Sequence, residues 1–100
     1  MEQHAATSVN GVPIRLTPER WRHIMGQHPE MADKRQGLSE AIRAPDAVYE
    51  GKGSTLVAVQ RADNLYLVVI YKEIGEADGF VVTSYLTRRL GRRKLIWKQH

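Results

Sequence analysis

The chain has 100 residues, 42% of them hydrophobic and 26% charged, which suffices for one modest core and is too short for two. It contains no cysteine, so a disulfide scaffold, a thiolate metal site and a cysteine nucleophile are excluded. The formal net charge of +4 is uneven: residues 1–50 carry six Lys/Arg against seven Asp/Glu, net −1, and residues 51–100 carry nine against four, net +5.

No apolar run approaches the roughly 18 residues of a membrane span. The opening stretch MEQHAATSVNG has no basic region followed by an apolar segment, so it does not read as a secretory signal. The expectation is a cytoplasmic protein with no membrane contact. Residues 1–10 are small and polar and read as a flexible arm, with residues 11–100 as a single domain.

Within that domain, GVPIRL (Gly11 to Leu16) reads as a short strand or an extended lead-in, because Pro13 argues against a central strand. A helix is expected from Pro18 to about Gln27. Thr17 is a suitable N-cap, Pro18 fits the first helical position and Glu19 puts negative charge where the helix dipole favours it. Trp21, Ile24, Met25 and His28 then fall on one stripe, and Pro29 disfavours helical geometry at His28, placing this histidine at a corner. A second helix is expected from about Met31 or Asp33 to Arg43, stopped by Pro45.

After Pro45 the pattern becomes β. Strands are expected at Ala47 to Glu50, Thr55 to Arg61, Leu65 to Tyr71 and Phe80 to Thr87, with KLIWK (Lys94 to Lys98) as a last short strand after Gly91. The run LYLVVIY at Leu65 to Tyr71 reads as a central strand covered on both faces over much of its length. The expected fold class is α+β: two N-terminal helices packed on a four- or five-stranded antiparallel sheet.

His28 admits two readings, a core-edge histidine bonded to backbone or a general acid or base, since histidine titrates near neutrality without perturbation. His23 lies off the apolar stripe. Alternation along Phe80 to Thr87 puts Thr83, Tyr85 and Thr87 in one hydroxyl-bearing row, with Thr83 and Tyr85 about 7 Å apart. Arg61 and Lys72 end successive strands and so fall at opposite ends of the sheet; either would bind a phosphate. Arg88 to His100 holds six cations and no acid, which suits a polyanion, nucleic acid above all, or a solvated tail. Metal-ligand spacing is absent: His23 and His28 are five apart, there is no HExxH, and the nearby acids are spread along the chain.

The combination of HI-x3-HPE in the helical part, a strand meander and a late strand reading VVTSY resembles the phage-associated branch of the barnase, EndoU, colicin and RelE nuclease superfamily. The resemblance runs from about Ile14 to Trp97. It implies a metal-independent, toxin-type endoribonuclease without a cofactor, in which the RNA 2′-hydroxyl attacks its own 3′-phosphate to leave a 2′,3′-cyclic phosphate. By the same resemblance His28 is the general acid or base, with His23 the second candidate. Thr83 and Tyr85 match the late-strand T-x-Y that contacts the substrate phosphate and base, and Lys72 or Arg61 takes the cationic role. The full set of expected substrate-binding residues is Arg61, Lys72, Ser84, Arg88, Arg92 and Arg93. The expected partners are RNA and an antitoxin or immunity protein; the oligomeric state is left open. The alternative is a catalytically inactive module of the same fold that binds nucleic acid or a partner.

Overall fold

The computed structural model describes residues 3–100. Its α+β architecture has two helices and one seven-stranded mixed sheet. The strands are β1 (His4–Thr7), β2 (Pro13–Arg15), β3 (Ala47–Glu50), β4 (Leu56–Ala62), β5 (Leu65–Glu73), β6 (Gly79–Thr87) and β7 (Leu95–Lys98). Helices α1 (Pro18–Gln27) and α2 (Arg35–Arg43) lie between β2 and β3. In space the strands run β1-β2-β6-β5-β4-β3-β7, and β2 with β6 is the one parallel pair among the described residues.

This corrects the expected sheet in number and polarity, and it corrects the arm. Two strands precede the helices: β2 falls within the segment read as a short strand or extended lead-in, and β1 falls within the expected arm. His4–Thr7 pairs with β2 across a turn in which the Ser8 amide donates to Val12 O at 2.9 Å and Gly11 takes φ +81. The first two residues of the expected arm lie outside the described residues. Pro13 is tolerated because it is the first residue of its strand, and the other side of β2 is joined to β6 only at Ile14↔Gly79 and Arg15↔Phe80. Gly79 makes that junction fit: a Cβ there would stand 2.6 Å from Lys72 O and 2.7 Å from Ile14 Cδ1.

Helix α1 has the expected bounds. Thr17 accepts from the Arg20 amide at 3.1 Å, Pro18 occupies the first turn, and His28 is the C-cap, its amide donating to Ile24 O at 2.7 Å. Helix α2 begins later than expected, at Arg35. Pro29–Met31 forms a separate 3₁₀ turn, tied by the Met31 amide to His28 O, and Met31 is fully buried beneath it. Arg35–Arg43 then buries Leu38, Ala41 and Ile42.

Period-two alternation divides the sheet into two apolar faces. Leu67, Val69 and Tyr71 of β5 join Ala58, Val48 and Val81 against Ile24, Met31, Leu38 and Ile42 on the helical side. Val57, Val59 and Val68 form the opposite face with Tyr49, Tyr66, Ile70, Tyr85 and Leu90. Central β5 is therefore covered on both sides, as its apolar run implies. The cover on the second face is the chain itself. From β6 to β7 the sheet order requires four strand spacings, about 19 Å, and the eight Cα steps from Thr87 to Leu95 reach about 27 Å when extended. Leu90 of this crossover packs onto the valines beneath it.

Candidate functional site

Among the described residues the outer edge of β6 has no strand neighbour beyond Phe80, and the corner between α1 and the 3₁₀ turn occupies it. The Leu86 amide points out of the sheet and donates to Glu30 Oε2 at 3.4 Å. That same oxygen lies 3.7 Å from His28 Nδ1. The His28 imidazole also sits against Tyr85, ring centroids 5.5 Å apart and planes at 36°. Helix end, 3₁₀ turn and strand edge thus converge on one imidazole that is about a third exposed, at 32% of its side-chain surface.

The arrangement has a chemical meaning. A carboxylate facing Nδ1 favours the tautomer that carries its proton there, which leaves Nε2 as the free base. Glu30 was counted in the sequence only as one of the scattered acids. The signal that could have found it is local: Pro29 starts a 3₁₀ turn, which folds Glu30 back beside the histidine two positions earlier.

Tyr85 pairs with Val68, and Thr87 with Tyr66, which pairs in turn with Arg61. These side chains share the face opposite the helices. The Arg61 guanidinium lies 5.3 Å from the Tyr66 ring centre, in the range of a cation–π contact, and its Nε donates to Asp63 O at 2.9 Å. Arg88 is exposed and follows Thr87 directly. A short arc therefore runs across one end of the sheet from His28 and Glu30 through Tyr85 and Thr87 to Tyr66 and Arg61.

Other expected residues are not brought there. His23 is exposed on α1, five residues before His28 and hence about 140° away around the helix. It shares a shallow depression with Thr17, Glu19 and Arg20. Lys72 pairs with Phe80 at the far end of β5, opposite the Arg61 end, as the connectivity implies. Arg92 and Arg93 lie along the crossover beside Lys52 and Lys94.

No family model, curated protein or solved structure matches this chain.

Ser84 is a correction. It is fully buried, and its hydroxyl donates to Val68 O at 2.8 Å inside the helical-side core, so it offers a ligand nothing. Thr83 faces the other side, opposite Ile70, as alternation requires, but its Oγ1 is buried and has no hydrogen-bond partner among the described residues. Thr87 is partly engaged: its hydroxyl donates to Arg89 O at 2.9 Å. Of the expected hydroxyl row, Tyr85 is the member that meets His28. Among the described residues no three His, Asp or Glu side chains gather as a metal site, and no helix is long and apolar enough to cross a membrane.

Proposed function

We propose that this protein is a small endoribonuclease that works by metal-independent acid/base catalysis. The observation that carries the reading is His28, held at an open strand edge between Glu30 and Tyr85. In this reading Nε2 of His28 takes the proton of an RNA 2′-hydroxyl, and the 2′-oxygen attacks the adjacent phosphorus. The bond to the 5′-oxygen breaks, that oxygen takes a proton from solvent water, and a 2′,3′-cyclic phosphate remains, with the 2′-hydroxyl proton on His28. Positioning and a matched base are what such a step needs most. Arg88 and Arg61 flank the site and would hold neighbouring phosphates, because Arg61 lies two strands, about 10 Å, from β6.

The VVTSY strand and the HPE corner, which carry the likeness to toxin-type nucleases, are the elements that meet at this imidazole, and that supports the reading. A toxin-type role would add an acidic inhibitor protein. Its natural seat is the β7 edge, where Leu95 and Ile96 are 48% and 49% exposed between Lys94 and Lys98.

The second reading is an RNA-binding module of the same fold without turnover. It is favoured by the buried Thr83 hydroxyl and by the separation of His23 from His28, which leaves one imidazole at the site. Cleavage of end-labelled RNA by purified protein in EDTA decides between them. Cyclic phosphate ends that disappear in His28→Ala support the nuclease. Salt-dependent binding without any cleavage, unchanged by His28→Ala, supports the module.

A further inference from the structure

The crossover that covers the second sheet face does not fill it. Between Arg93 and the turn Gly51–Thr55 lies a half-open groove of about 300 Å³ whose floor is Ile70 and Val82, with the fully buried Val57 behind them, and whose rim carries Lys52 and Arg93. A second, shallow depression, of about 320 Å³, shares Gly51, Lys52 and Arg93 with it and adds Arg92, Lys94 and the single carboxylate Glu50. None of these four cations has a carboxylate within ion-pair distance among the described residues. An aliphatic slot therefore opens directly onto an unneutralised cationic shelf.

The fold builds this juxtaposition from separate parts. The register of β5 and β6 slips between Ile70 and Tyr71, so Val82 is the extra residue of a bulge and its side chain lines the slot beside Ile70. The Glu50 amide donates to Lys94 O at 2.8 Å, which fixes the end of the crossover to the β3 end and holds the cations over the slot. The Lys52–Ser54 turn carries Gly53 and Ser54 at φ +63 and +66, a left-handed pair in which the serine is the strained member.

We propose that this groove and the depression beside it are a nucleotide subsite: a base of single-stranded RNA lies on Ile70 and Val82, above the buried Val57, and its phosphate is held by Lys52 and Arg93. The chemistry is that of ligand sites in general, an apolar slot with a few charged groups fixing orientation. Val82 is three residues from Tyr85, about 10 Å along β6, so one bound strand reaches both places. The proposal rests on the ribonuclease reading for its choice of RNA, and the subsite would fix which nucleotides flank the cleaved bond.

The test is methyl-labelled NMR of the full chain titrated with adenosine and uridine 5′-monophosphate and, separately, with inorganic phosphate, beside an RNA cleavage assay. The nucleotides are expected to shift the methyls of Val57, Ile70 and Val82, and Lys52→Ala and Arg93→Ala each weaken that binding about threefold. Lys34→Ala, which removes an equal charge on the helical side, leaves it unchanged. Phosphate moving the cationic shelf as strongly as the nucleotides, with silent methyls, overturns the subsite. Methyl shifts in a protein that never cleaves RNA keep the subsite and remove the nuclease reading; cleavage with silent methyls removes the subsite alone.

Discussion

The His28 and Tyr85 rings meet with centroids 5.5 Å apart, tilted by 36°, although one ends a helix and the other faces the side of the sheet opposite the helices. The contact exists because β6 lacks a strand neighbour beyond Phe80 among the described residues, so the helix corner sits on the strand edge itself. Replacing His28 by alanine is expected to lower RNA turnover by about 10²–10⁴, the range for loss of a general base, with RNA affinity held within about twofold. Glu30→Gln keeps an acceptor for the Leu86 amide and removes the charge beside Nδ1. It is expected to cost about tenfold in turnover and little in melting temperature. Single-turnover cleavage rates beside thermal melts check both, and Glu30→Gln matching wild-type turnover would remove the orienting role.

Ser84 and Tyr85 are adjacent in sequence and opposite in consequence. Ser84→Ala removes a hydroxyl that serves only Val68 O, so it is expected to cost about 1 kcal/mol of stability and to leave RNA binding unchanged. Tyr85→Ala strips the partner from His28 and should weaken RNA binding and cleavage together. Urea unfolding and a binding isotherm on both variants separate core from site.

Tyr71 is fully buried and its hydroxyl has no partner among the described residues. Burial first, and the nearby Glu73 charge second, push this phenol well above its ordinary value of 10.0. Because the folded state disfavours the phenolate, the associated stability is intact below pH 10 and is lost as pH rises above it. Tyr71→Phe is expected to raise stability by about 1 kcal/mol, since an unpaired buried hydroxyl disappears while the ring stays. Chemical denaturation at neutral and high pH reads both effects.

At the single parallel junction, Arg15 Nε donates to Asp78 Oδ1 at 2.8 Å and the second guanidinium nitrogen to Oδ2 at 3.1 Å. The hydrogen bond from Arg15 holds the Asp78 carboxyl below its usual 3.8. The stabilisation is therefore present above that value and is lost as pH falls through the lowered one. Arg15→Ala is expected to return Asp78 to the ordinary carboxylate range, which NMR titration of the carboxyl carbon measures. An unchanged titration would show that the pair does not persist in solution.

Legibility in the sequence followed the range of the interactions. Thr17, Pro18 and Pro29 set α1 through contacts within four residues, so its bounds and the corner at His28 could be read directly. The apolar run at Leu65 to Tyr71 announced a two-sided central strand, and alternation assigned Tyr85 its face. By contrast, β2 is three residues long, too short to show a period, and its pairing with Gly79 depends on chain 64 positions or more away. Ser84 stood among the expected substrate-binding residues because its burial depends on Met31 and β5, which sequence neighbours do not reveal.

What the sequence determined by itself was local: where helices start and stop, which strands are apolar on which side, and that the cations gather in the C-terminal half. The tertiary structure alone decided the sheet order, the open edge of β6, the approach of Glu30 to His28 and the course of the basic crossover over the second face. The physical reason is that caps, turns and alternation act through a few neighbouring residues. Strand order and edge exposure depend on which distant apolar faces pack together, and there the whole chain competes at once.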